Sequence, residues 1–220
     1  MNQLTPIFPG SSGQATAGVR ANVYVARTYT VLLNALAAIV VAGVVSHQFL
    51  PRETLVPFAI ADMVLWIACG WFGWMRPLTL SMGLFSVVTG GLLGQVAHLT
   101  PPGIFAQASA YTLVTFAGLS FYVHITKKDF SFLKGFLVAA FWIALLSMLI
   151  MMFFPGMRAT MPFAAFGTLV FAGWILYDTS NVVHNVDSME SAGFAAFALL
   201  LDLVGLFKNL LNLLWSFAED

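Results

Sequence analysis

Apolar positions along this chain gather into seven long runs, at 28–47, 55–75, 78–98, 104–125, 132–154, 161–184 and 194–217. Each is near the roughly 20 residues that carry an α-helix across the hydrocarbon layer of a bilayer. The polar punctuation between them is short: Pro51-Arg52-Glu53, Arg76-Pro77, Thr100-Pro101-Pro102-Gly103, Thr126-Lys127-Lys128-Asp129, Phe154-Pro155-Gly156 and a turn at 185–193. Barrel strands would instead need alternating polarity over about ten residues. The pattern therefore predicts an all-α membrane protein with seven transmembrane helices, and connections this short make neighbours antiparallel and leave no room for a second domain. The expected organisation is a single seven-helix transmembrane domain over 20–220. Before it lies a Gly-, Ser-, Thr- and Pro-containing stretch, 1–19, with no apolar core, expected to be a flexible tail and not a signal peptide.

The last two runs each hold one aspartate, Asp178 and Asp202, placed twelve residues before and twelve after Glu190 in the intervening turn. In an antiparallel hairpin that spacing sets both carboxyls at similar depth, roughly 10 Å below the headgroup boundary. An isolated ionised carboxylate at that depth costs several kcal/mol, so the pair needs a proton, a cation or a basic partner. The plain structural alternative is that each aspartate caps a helix or bonds to nearby Ser and Thr. Intramembrane acids are functional by default, which favours the pair as a proton-sharing or ion-binding site.

Composition agrees with the membrane reading: 60% of residues are apolar and 8% charged, against about 25% charged in soluble domains. The formal net charge is zero, which gives no reason to expect a nucleic-acid partner. The single cysteine, Cys69, allows no intrachain disulfide. Placing the N-terminus inside puts Arg20, Arg27, Arg76, Lys127, Lys128 and Lys134 on the inner side and Arg52 and Arg158 on the outer side. The positive-inside rule thus orients the N-terminus toward the cytoplasm. The compact loops and short tail suit a bacterial inner membrane.

Three more charges invite functional readings. Asp62 lies about seven residues into the second run, where an ionisable group suggests a cation path as readily as contact with interfacial water. Arg76 ends the same run at the level from which its planar fork could reach Asp178 or Asp202 as a latch, although a positive-inside flank explains it equally well. Lys208, six residues beyond Asp202, sits on another helix face, where it could snorkel or join the ion path. The histidines His47, His98, His124 and His184 all fall at segment ends, without zinc-ligand spacing, and His184 is near enough to Asp178 to tune it. Gly90 and Gly94 form a G-x-x-x-G that reads as close helix packing. No G-x-S-x-G, H-E-x-x-H or phosphate-cradling loop occurs, so no cofactor is expected.

Three ordered motifs carry a resemblance that covers about residues 20–217. The run Phe171-Ala172-Gly173-Trp174-Ile175-Leu176-Tyr177-Asp178-Thr179-Ser180-Asn181 resembles the signature of the Bax-inhibitor family of membrane proteins. So does Thr126-Lys127-Lys128-Asp129-Phe130-Ser131-Phe132-Leu133, and Ala198-Leu199-Leu200-Leu201-Asp202-Leu203-Val204-Gly205-Leu206-Phe207 is similar to the closing motif. The resemblance implies a fold in which the last helix is central and wrapped by the other six. It also implies a pH-sensitive calcium leak, with Asp178 and Asp202 as proton sensor and candidate calcium ligands, and Arg76 near the position of a basic latch. Some bacterial relatives are thought to restrain a membrane protease or secretion machinery, a regulatory alternative in which the tail is the handle. Leu200, Gly205 and Lys208 depart from the usual last-helix pattern and bear on cavity shape and ion preference.

An enzymatic rival is an intramembrane aspartyl protease, since Tyr177-Asp178 followed by Asp202 superficially fits one and a shared proton is that chemistry. Leu199, Leu200 and Leu201 stand where that class has Gly-x-Gly, and no Pro-Ala-Leu occurs, so no enzyme is expected. The expected state is a monomer in lipid, with calcium as the permeant ion and protons as regulator.

Overall fold

The structure is a computed structural model that describes the backbone of residues 11–72, 78–153, 161–184 and 189–219, and the side chains of 18–68, 80–143, 146, 161–184 and 192–218. Among the described residues it is helical and without strands. The helices are α1 (Ser11–Phe49), α2 (Leu55–Phe72), α3 (Leu78–Leu99), α4 (Pro102–Thr126), α5 (Lys134–Phe153), α6 (Met161–His184) and α7 (Met189–Glu219). Short 3-10 turns at Arg52–Thr54 and Ser131–Leu133 lead into α2 and α5. Five of the helices, α1, α3, α4, α6 and α7, are long and apolar enough to cross a membrane. The expected second and fifth spans are α2 and α5, of 18 and 20 residues, and some of their side chains lie outside the described set.

Two boundaries differ from the hydropathy pattern. Helix α1 begins at Ser11, inside the stretch read as a tail, and α7 begins at Met189, so 189–193 is helical where a turn was expected. Alanine and glutamate favour helix regardless of hydropathy, and hydropathy marks only where a helix enters lipid. Asp178 consequently lies six residues from the end of α6 and Asp202 thirteen residues into α7, an unequal hairpin. Local chemistry sets the ends of α4. Proline is tolerated at positions with no intrahelical N–H partner, so Pro101-Pro102 opens it, and Lys127 closes it in a left-handed conformation (φ 48°, ψ 31°).

Helix α7 packs on α6, α1, α4 and, more lightly, α3, while α2 lies on α3 and α5 on α6. Leu199, Leu200 and Leu206 of α7 are fully enclosed. The opposite condition holds on outward faces: Val40, Val41, Val44, Leu113, Val114 and Leu169 are exposed. An apolar exterior around a core that holds Thr28, Asp62, Thr89 and Asp202 is the arrangement lipid selects, because side chains facing acyl chains find no water.

The α1–α3 crossing is close, and small residues allow it. A Cβ on Gly90 would overlap the Ile39 carbonyl, and one on Gly94 would overlap the Gly43 carbonyl. The G-x-x-x-G thus serves packing within the chain. The crossing is tied further by Ser46 Oγ donating to the Gly91 carbonyl (2.8 Å) and Gln95 Nε2 donating to Ser46 Oγ (2.9 Å). Gly90→Val is therefore expected to cost about 1–3 kcal/mol of stability, read as a lowered midpoint of thermal unfolding in detergent. Gly83→Val, where an added Cβ meets nothing, should be near neutral.

Candidate functional site

The two aspartates meet. Asp178 and Asp202 lie on adjacent helices with their side chains hydrogen-bonded to each other. Both line an open cavity of about 550 Å³ whose walls come from α2, α5, α6 and α7. Asp202 is buried, and its Oδ2 faces no donor, while Asp178 is half-buried with Asn181 Nδ2 at 3.4 Å from its Oδ1. Two carboxylates have only acceptor oxygens, so a hydrogen bond between them requires a shared proton. The rest of the wall is aromatic and aliphatic, including Trp66, Phe141, Phe171, Trp174 and Phe197. Such a wall gives an ionised oxygen little solvation, and this is what makes the proton inventory of the pair matter.

Glycine shapes this cavity as much as its lining does. A Cβ on Gly205 would run into the Phe171 ring. With no side chain at 205, Phe171 lies against α7 and meets Trp66 edge-on, at 5.7 Å between centroids and 86° between planes. The departure at Gly205 thus governs how the aromatic wall closes.

A second polar centre lies further along α7. Lys208 Nζ donates to Asp62 Oδ2 in an ion pair, and Thr89 Oγ1 donates to Asp62 Oδ1 at 2.6 Å. Asp62 is 3% exposed, so both of its oxygens are satisfied away from water, and α2, α3 and α7 are tied at one point. Ser86, one turn before Thr89 on the same helix, is buried with an unpartnered hydroxyl. The six residues between Asp202 and Lys208 separate the two centres by about 9 Å along α7. Trp66 stands between them: it lines the aspartate cavity, and its ring centroid is 5.9 Å from Lys208 Nζ.

The candidate residues thus divide clearly. Asp178 and Asp202 come together as expected. Asp62 and Lys208, expected as separate stations of a path, form one pair, and Lys208 neither snorkels alone nor joins Asp202. Arg76, the expected latch, lies outside the described residues. Reading the chain missed Trp66, Thr89 and Phe171. For Trp66 a signal existed, since it follows Asp62 by four residues and shares its helix face. Nothing local marks Thr89 among the other hydroxyls of apolar helices.

As calcium ligands the pair supplies at most four oxygens, and calcium takes six to eight. Among the described residues no three of His, Cys, Asp and Glu converge. The two carboxyls by themselves therefore fall short of a full calcium shell.

Comparison with known proteins places the chain in a family. A profile of the family described as Inhibitor of apoptosis-promoting Bax1 matches residues 21–219. The chain is 30% identical to an uncharacterised membrane protein of Vibrio cholerae over 224 residues, covering 96% of each. It is 31% identical to mouse Protein lifeguard 4 over 162 residues, 73% of this chain and 67% of that one. To Bax inhibitor 1 of Schizosaccharomyces pombe it is 38% identical over 132 residues, 60% of this chain but about half (49%) of the yeast protein's length. The matched stretch reaches from α1 to α7 and takes in nearly the whole chain, so the chain belongs to the Bax-inhibitor family of membrane proteins.

Proposed function

We propose that this protein is a pH-sensitive, calcium-permeable leak whose proton sensor is the Asp178–Asp202 pair. One observation carries the reading: two carboxyls from adjacent membrane-length helices, hydrogen-bonded to each other beside a cavity of about 550 Å³. With one proton between them the pair carries a single negative charge, spread over both carboxyls, and stays together. Without it, two like charges face a low-dielectric wall and attract a cation. Arg76 is the proposed partner in that state, drawing α2 against α6 and α7 and narrowing the route. Protonation weakens this clamp and favours the open form, so flux falls as pH rises. The Asp62–Lys208 pair lines the outer part of the same route. Helix α7, with its enclosed centre, is the axis around which six further spans are arranged, including α2 and α5. The chain is taken as a monomer in a bacterial inner membrane with its N-terminus in the cytoplasm, in keeping with Lys127, Lys128 and Lys134 gathering at one end of α4 and α5.

Reconstitution into liposomes loaded with a calcium dye tests this. External calcium is expected to enter faster than in empty vesicles, with a rate that changes steeply with pH. Entry equal to that of empty vesicles at every pH rejects the leak.

The names of the relatives favour a second reading. Bax inhibitor 1 is named for inhibition and not for transport. By analogy this chain is a regulatory membrane protein that restrains a membrane protease or secretion machinery. Co-purification of such a partner, lost on deleting residues 1–19 and unaccompanied by calcium flux, selects this reading over the leak.

A further inference from the structure

At the far end of α6 from its membrane entry, the connection between α4 and α5 is fastened by contacts that the leak does not use. His184, the last residue of α6, has Nε2 3.0 Å from the Lys127 carbonyl and Nδ1 2.9 Å from the Ser180 carbonyl. The Ser180 hydroxyl accepts from the Phe130 N–H (3.1 Å) and donates to the Lys128 carbonyl (3.3 Å). Lys127 has φ 48°, the left-handed region that a residue with a Cβ adopts only when its surroundings hold it there. The carbonyl of this unusual residue is the one that His184 grips.

A neutral imidazole has one N–H and one lone pair. Both ring nitrogens of His184 face carbonyl oxygens, which only accept. The Ser180 hydroxyl, 3.4 Å from Nδ1, gives its one hydrogen to the Lys128 carbonyl, so it can serve a neutral Nδ1 only by releasing that carbonyl. Either neutral tautomer therefore sets a lone pair against a carbonyl oxygen at about hydrogen-bond distance, whereas the imidazolium donates to both. We propose that His184 is a proton-operated clasp: charged, it locks the α4–α5 connection to the end of α6, and neutral, it lets go of one carbonyl and loosens Lys127–Phe130.

The neighbouring charges fit this sign. The connection contributes Lys127, Lys128 and Asp129, and Lys128 Nζ is turned toward Tyr122, 6.0 Å from its ring centroid. Lys134 begins α5, and His124 of α4 points Nδ1 at the Ser120 carbonyl (2.8 Å). On α6 itself the nearest acid is Asp178, six residues back, and the side chains of Asp187 and Glu190 lie outside the described residues. The backbone N–H and hydroxyl of Ser131 hold the Asp129 carboxyl below its ordinary value, and the His184 ring adds a smaller pull in the same direction. Asp129 thus stays ionised across pH 5 to 8, the range in which histidine changes charge. The charged ring favours the locked form, so the lock holds toward pH 5 and is lost as pH rises toward 8. This device lies outside the aspartate pair and operates whether or not the protein conducts calcium.

Hydrogen–deuterium exchange of the full-length protein in nanodiscs, followed on the peptide spanning 126–134, tests the clasp. Rates are corrected for base catalysis with an unstructured peptide of the same sequence. Between pH 5.5 and 8 the corrected exchange of wild type is expected to rise about tenfold, as one charge-assisted bond is lost. In His184→Gln it should be fast at both pH values, and in His184→Arg slow at both. Asp178→Asn/Asp202→Asn should keep the wild-type step. A flat wild-type profile overturns the proposal, as does a step that survives in His184→Gln or vanishes with the aspartates.

Discussion

Calcium flux through the Asp178→Asn/Asp202→Asn variant is expected to lose its pH dependence. A route controlled by one shared proton changes at most about tenfold per pH unit, since each pH unit is worth 1.36 kcal/mol in the protonation equilibrium. An amide pair forms the same side-chain hydrogen bond without a titrating proton, so this variant should fold and give a nearly flat profile. Asp202→Asn alone should flatten it almost as much, because the remaining Asp178 can then bond to an amide. Asp178 is half-buried, which leaves it the better able to bear a charge alone. Asp202→Ala is different: it strands Asp178 without its partner, and a loss of stability of about 1–3 kcal/mol is expected beside any change in flux. Liposome flux between pH 5 and 8, with unfolding midpoints for each variant, separates the two effects. An unchanged pH profile in the double Asn variant removes the sensor role.

Lys208→Met is expected to be among the most damaging single changes in the chain. It leaves Asp62, 3% exposed, with the Thr89 hydroxyl as donor and without its counter-charge. Removing one partner of a buried ion pair costs about 3–5 kcal/mol, and the partial exposure of Lys208 places this case near the lower end. For a chain of this size that corresponds to a fall in Tm of roughly 6–12 °C. Asp62→Asn in the same chain should recover most of it, because the neutral amide still accepts from Thr89 and no charge is stranded. The double-mutant cycle should return a coupling of at least about 2 kcal/mol, and additive losses would show that the pair contributes nothing as a pair. The two acidic centres packed against α7 thus differ in kind. Asp202 is matched by a second carboxyl and needs a proton, whereas Asp62 is matched by a fixed cation and a hydroxyl and does not.

Much of this protein was legible in the order of its residues, for a physical reason. A bilayer admits only segments that satisfy their own backbone, so runs of about 20 apolar residues are helices wherever they occur. The meeting of Asp178 and Asp202 followed from the same constraint, since adjacent antiparallel spans bring residues of similar depth together. The expectation survived an unequal hairpin, with α7 starting at Met189, because helix ends can extend past the membrane without moving the spans. The family membership was carried by three local motifs that needed no coordinates.

What the order of residues did not decide is which faces meet across long separations. Asp62 and Lys208 are 146 positions apart, and only the packing of α2, α3 and α7 brings that charge to that partner. Gly205 stands out in the sequence as a departure from the usual pattern, but only the packing shows that the Phe171 ring takes the space its missing Cβ leaves. His184 is one of four histidines at helix ends, and only the packing sets the Lys127 carbonyl, 57 positions away, against its Nε2 while the Ser180 carbonyl faces its Nδ1. Depth in a membrane is a one-dimensional property and can be counted along a chain. Rotation and neighbour are three-dimensional, set by how ridges, glycines and polar groups interlock, and the tertiary structure alone assigned them.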